Sequence, residues 1–133
     1  MPQLYNNRKP VNYGDILSKS GEQDQADLLF DRILELIRKG PRLGAYGYWV
    51  TDLQVYAQRS QKEQALAALR QPVDEGWRYN WWYHFEHDAS LEPIGDDSEF
   101  QAMLAEVKAD MAEQLARVRE MEASGEIAAP KNI

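Results

Sequence analysis

Cysteine is absent from this chain of 133 residues. That excludes disulfides, thiolate nucleophiles and thiolate metal sites, and it fits a reducing compartment. Long apolar runs are missing too. None approaches the ~20 residues that a membrane-spanning helix needs, and the opening MPQLYNNRKPVNYG lacks the apolar segment of a signal peptide. The expectation is a soluble, cytoplasmic chain with no membrane partner. Basic stripes are scarce: 15 Lys and Arg stand against 22 Asp and Glu, giving a net charge of −7, and the longest basic grouping is Arg38, Lys39 and Arg42. A surface this acidic repels phosphate backbones, so nucleic acid is not expected as a partner of this chain alone. No glycine-rich phosphate loop, G-x-S-x-G elbow or H-E-x-x-H motif occurs, and no serine has a candidate base at an informative spacing. The chain is therefore expected to be non-enzymatic, with no cofactor.

What the sequence does hold is a dense aromatic segment, with six aromatics in the nine positions from Trp77 to Phe85. Each such side chain buries about 150–250 Å², so neighbouring helices must exist to cover them. In chain order, a short helix is expected from Asn12 to Ser20, ended by Gly21. A second begins at Asp24, where Ala26, Leu29, Phe30, Ile33, Leu36 and Ile37 recur at helical spacing, and it stops at Gly40–Pro41. A third spans about Tyr48 to Gln58, with Trp49, Leu53 and Tyr56 on its buried side. Ser60 turns the chain into a fourth, which Pro72 is expected to end or kink near Arg70. Residues 76–97 then form a connector. Ser98, with Gln101 three residues on, is the expected N-cap of a final helix over 98–124. That helix, roughly 39 Å long, exceeds what a two-hairpin core needs, so its last turns should project or meet another chain. Residues 127–133 are expected to be a disordered tail.

The turn at Gly21, with Ala26 and Phe30 after it, returns 39 residues later as Ser60, Ala65 and Leu69, and Leu17 and Tyr56 stand nine residues before their alanines. Gly14, Leu17, Gly21, Ala26 and Phe30 in the first copy, and Trp49, Leu53, Tyr56, Ala65 and Leu69 in the second, resemble the tetratricopeptide repeat, whose own period is about 34 residues. The run ALAALRQPVDEGWRYNWWYHFEHDASLEPIGDDSEFQAMLAEV is similar to the C-terminal end of tetratricopeptide arrays in large bacterial regulators. Pro72, Asp52, Trp77 and Ser98 depart from the usual pattern. The resemblance implies an all-α fold of antiparallel hairpins, about 12–39 and 46–75, of α-solenoid type, with residues 98–124 as a capping helix and a single domain over 1–126. It implies a protein–protein interaction scaffold, the C-terminal part of a bacterial regulatory protein, while DNA-binding or cyclase activity is not carried over. By the repeat's geometry the inner face falls at Arg8, Asp15, Lys19, Gln54 and Gln58, which either hold a peptide or form a solvated surface.

Two hairpins leave an apolar face open, since about three repeats are normally needed to cover one another. The N-terminal edge around Tyr5, Val11, Tyr13 and Ile16 is the expected open side, so the chain is expected either to be a piece of a longer array or to self-associate through that edge or the projecting helix. A second reading places a small-molecule or metal-sensing module over residues 77–88. His84 and His87 share a helical face if that segment is helical. No third ligand is fixed by spacing, and an aromatic run of this kind is more often core between the repeats and the capping helix than the lining of a ligand pocket.

Overall fold

The computed structural model describes residues 8–44 and 47–131, with side chains from residue 11 onwards, so Tyr5 and the side chain of Arg8 lie outside the described residues. Every regular element among the described residues is a helix: α1 (Arg8–Lys19), α2 (Gln23–Ile37), α3 (Thr51–Gln58), α4 (Lys62–Asp74), α5 (Trp81–Glu86), a 3-10 helix (Ala89–Ile94) and α6 (Ser98–Ala123). The chain is all-α. Helix α1 packs on α2 and α3 on α4, and α3 also contacts α1, α2 and the 3-10 helix, while α4 carries α6.

The two hairpin turns share one geometry. In the first, Gly21 has φ +82° and the Glu22 N–H reaches the Leu17 carbonyl; in the second, Ser60 has φ +57° and the Gln61 N–H reaches the Tyr56 carbonyl. Both are left-handed helix caps that satisfy carbonyls orphaned by the helix end. Ala26 and Ala65, five residues past each turn, are wholly buried, as small residues must be where two helices approach closely. Gly14 shows how close the approach is: a Cβ there would lie 2.4 Å from Phe30 Cε1.

Several helix bounds differ from expectation, each for a local reason. Helix α1 begins at Arg8 rather than Asn12, because Pro10 sits in the first turn, where its fixed φ suits a helix and its missing N–H would be unpaired anyway. Helix α3 begins at Thr51 rather than Tyr48. The Tyr48 and Trp49 N–H groups donate back to the Pro41 and Arg42 carbonyls, and Trp49 has φ +52°, so neither residue is helical. Helix α4 runs through Pro72 to Asp74 instead of stopping near Arg70. The proline forfeits one bond in the last turn, but Pro72 and Val73 are buried against the core, and that burial offsets the loss. The expected connector is itself helical over α5 and the 3-10 helix. Asp97, not Ser98, caps α6: its Oδ1 accepts from the Glu99 and Phe100 N–H groups at 2.8 and 3.3 Å, and its negative charge faces the positive end of the helix.

Among the described residues, two apolar clusters make up the interior. Val11, Ala26, Phe30, Ile33, Leu34, Ile37 and Val55 form one under the first hairpin; the larger gathers α3, α4, Trp77, Phe85, Leu91, Ile94 and the first half of α6. Helix α3 contributes to both, and Tyr56 packs against both, so this eight-residue helix joins the halves of the molecule. Val11, expected on the open edge, is instead 1% exposed, whereas Tyr13 and Ile16 are exposed. Trp77 is sealed and Trp81 packs against the core, while Tyr79 and Trp82 face water.

Candidate interaction surface

The inner face of α3 is where sequence reasoning placed Gln54 and Gln58, and both side chains are engaged by the chain itself. Asp88 and Ser90 precede and open the 3-10 helix, whose Leu91 and Ile94 anchor in the core and hold the segment against α3. Gln54 is buried and donates through Nε2 to Asp88 Oδ2 at 2.9 Å; Gln58 donates through Nε2 to the Ser90 carbonyl at 3.1 Å. The same Asp88 oxygen lies 2.7 Å from His84 Nδ1, and Oδ1 accepts from the Ser90 N–H at 3.0 Å. Burial pushes the Asp88 carboxyl up, but the hydrogen bonds from His84 and Gln54 outweigh it and hold the group below its ordinary value. One buried carboxylate thus ties α3, α5 and the 3-10 helix together.

Asp15 and Lys19, the described α1 candidates, pair with each other at 2.9 Å, with Lys19 exposed. Hydrogen bonding to Asp15 raises the Lys19 pKa. Lys19 and Gln58 come together at an open cavity of about 280 Å³, completed by Ala89, Glu92 and Pro93. Of the inner-face candidates, then, Lys19 and Gln58 share a surface, Asp15 joins it through its lysine, and Gln54 lies beneath the 3-10 helix.

The histidines do not converge. His84 is buried beside Trp77, with ring centroids 5.7 Å apart, and is engaged by Asp88. His87 follows the end of α5 with φ −132°, is exposed, and meets the Trp82 ring edge-on. The shared helical face expected of the two needs helical backbone at His87, which is lacking. Among the described residues no group of three or more His, Asp or Glu side chains is placed to hold a metal ion. An open cavity of about 470 Å³ does lie between α5, the 3-10 helix and the start of α6, with Phe85, Glu86, Glu92, Asp96 and Phe100 on its walls.

Sequence reasoning missed Asp88, Ser90 and the buried pair of Arg42 and Asp52. An Asp two residues before Ser in a loop is an Asx-turn signal that could have pointed to Asp88. In the sequence Arg42 stands out only as part of the longest basic grouping, with Arg38 and Lys39. It forks onto both oxygens of Asp52 at 3.0 and 2.6 Å, donates to the Trp49 carbonyl, and lies over the Tyr48 ring. Burial alone would lower its pKa, but the bond to Asp52 leads the opposing effects, which leave it raised.

No helix among the described residues is long and apolar enough to cross a membrane. Comparison with protein-family models, with curated proteins and with solved structures found no match.

Proposed function

We propose that the chain is a non-enzymatic protein-interaction module of tetratricopeptide type, working in the cytoplasm as the C-terminal part of a bacterial regulator. The observation that carries this reading is the repeated turn. Bonds from Glu22 to Leu17 and from Gln61 to Tyr56, left-handed residues Gly21 and Ser60, and buried Ala26 and Ala65 all recur at one offset of 39 residues. A repeat that stacks hairpins exposes a polar inner surface on which an extended peptide can lie. Here that surface is the Lys19, Gln58, Glu92 and Pro93 rim, narrowed by the chain's own 3-10 helix. The sensing alternative is less well supported, because His84 is committed to Asp88 while His87 is exposed and meets the Trp82 ring.

Photo-crosslinking decides the matter. A benzophenone side chain at Gln58 should give a discrete adduct in bacterial lysate, competed by unlabelled chain and lost in Lys19→Glu, whereas the same probe at exposed Leu28 should not. Equal labelling at both positions would sink the assignment of the surface.

A further inference from the structure

The inner face of α3 is filled by the chain's own residues 88–94. Gln54 and Gln58, one turn apart on that face, donate through Nε2 to the Asp88 carboxylate at 2.9 Å and to the Ser90 carbonyl at 3.1 Å. A docked peptide offers the same two kinds of acceptor. The segment that supplies them here is weakly built. Its backbone is a 3-10 helix of six residues, longer than that geometry usually sustains, and Pro93 removes one of its N–H groups. Open cavities of about 280 and 470 Å³ flank it, the first shared with Lys19 and Gln58 and the second with Phe85 and Phe100, and Ala89 and Glu92 line both. Packing therefore holds it chiefly through Leu91 and Ile94, which reach the core.

We propose that residues 88–94 are a strap that lifts from α3 while the rest of the chain stays folded, and that an acidic peptide takes their place. This rests on the reading of the chain as an interaction module, and it makes the strap the regulator of that surface. The seat fixes what the peptide must carry. Its carboxylate replaces that of Asp88 between Gln54 and His84, and its backbone carbonyl two residues on accepts from Gln58. Aliphatic side chains three and six positions after the acid fill the seats of Leu91 and Ile94. The closed form prevails in the free chain, because Leu91 and Ile94 are deeply buried and the tether gives the strap a high effective concentration. A competing peptide sees only the open fraction. Whatever loosens the strap must raise the peptide's affinity by the same factor.

The absence of native cysteine makes the test direct. Ser90→Cys in the full chain supplies a single thiol at a position that is buried while the strap is down. Its reaction with a thiol reagent should proceed by local opening, at a rate that hardly changes with urea below the unfolding transition. Adding Asp88→Asn should speed the reaction about tenfold, since a hydrogen-bonded charge is lost. A fluorescein-labelled peptide of residues 86–95 should bind the Asp88→Asn chain more tightly than the unmodified chain by that same factor, read by anisotropy, and the peptide carrying Asp88→Lys should bind neither. A thiol that reacts only at the rate of global unfolding would overturn the strap, and this arm needs no second substitution. Equal binding of the two peptides would overturn the acidic partner. Neither measurement uses lysate, so the adduct at Gln58 reads the proposed function separately.

Discussion

Gly14 and Phe30 are a small residue and a large one filling a single gap, and 39 residues on the corresponding positions are Leu53 and Leu69, both wholly buried. The two copies thus divide similar core volume differently. A methyl group at position 14 would run into the Phe30 ring, and overpacking of that kind costs about 1–3 kcal/mol, more than the ~1 kcal/mol gained by replacing a helical glycine with alanine. Gly14→Ala should therefore lower the urea midpoint, and Gly14→Ala with Phe30→Leu should recover most of the loss. A stabilised single variant would show that the ring has room to move. Asp88 supports a second prediction at this scale. Asp88→Ala strands the Gln54 amide, the Ser90 N–H and His84 together, and unpaired buried donors of this kind should cost about 3 kcal/mol in urea unfolding. Asp88→Asn keeps an acceptor oxygen and should cost less.

Helix α6 shows at the scale of elements how stability is shared out along a chain. Four ion pairs fasten its first half: Asp97 to Lys62, Glu106 to Arg70, Asp110 to Arg78, and Lys108 to Glu86. Beyond Asp110, Met111 still packs partly against the core, but among the described residues the rest of the helix has neither fully buried side chains nor ion pairs to another helix, apart from local pairs such as Arg117 with Glu113. A chain ending after Ala112 should therefore unfold at the same urea concentration as the whole protein when both are dilute. Amide exchange should be fast from Leu115 onward and slow from Met103 to Val107. Loss of stability on this truncation would mean that the distal half contributes to the fold itself. The apolar spacing of α2 and α6 was legible in the sequence because each helix buries one stripe. The bounds of α3 and α4 were not, because they are set by the Tyr48 and Trp49 N–H groups bonding back to the Pro41 and Arg42 carbonyls in one case and by burial of Pro72 in the other. The inner face was half legible for a similar reason. Gln54 and Gln58 stand on the side of α3 that was expected, but no local pattern announces that the segment around Ser90 lies across them.

Across the whole molecule the ionic contacts set how stability depends on pH. Asp97, Glu106, Asp110 and Glu86 are held below their ordinary values chiefly by hydrogen bonds from Lys62, Arg70, Arg78 and Lys108. Asp88, opposed by burial, is lowered by His84 and Gln54. A carboxylate with a depressed folded pKa binds fewer protons in the folded chain than in the unfolded one, so its contribution is complete above the ordinary value and vanishes as pH falls through the folded value. Those ordinary values are 4.5 for the glutamates and 3.8 for the aspartates. Lys62, raised by Asp97, and Lys19, raised by Asp15, act in the opposite sense, and their contributions fade once the pH climbs past 10.5. The urea midpoint should therefore be flat through neutral pH and fall on acidification below about 4.5, with the mutual repulsion of 22 acidic groups already relieved as they protonate. The acid limb separates the buried carboxylate from the exposed pairs. Added salt should weaken the contributions of Glu106 and Asp110 at neutral pH, because solvent screens them, yet leave that of Asp88 in place. In Asp88→Asn the acid limb should become shallower at every salt concentration. If that variant kept the full slope, the network joining α3, α5 and the 3-10 helix would not be the acid-sensitive joint of the fold.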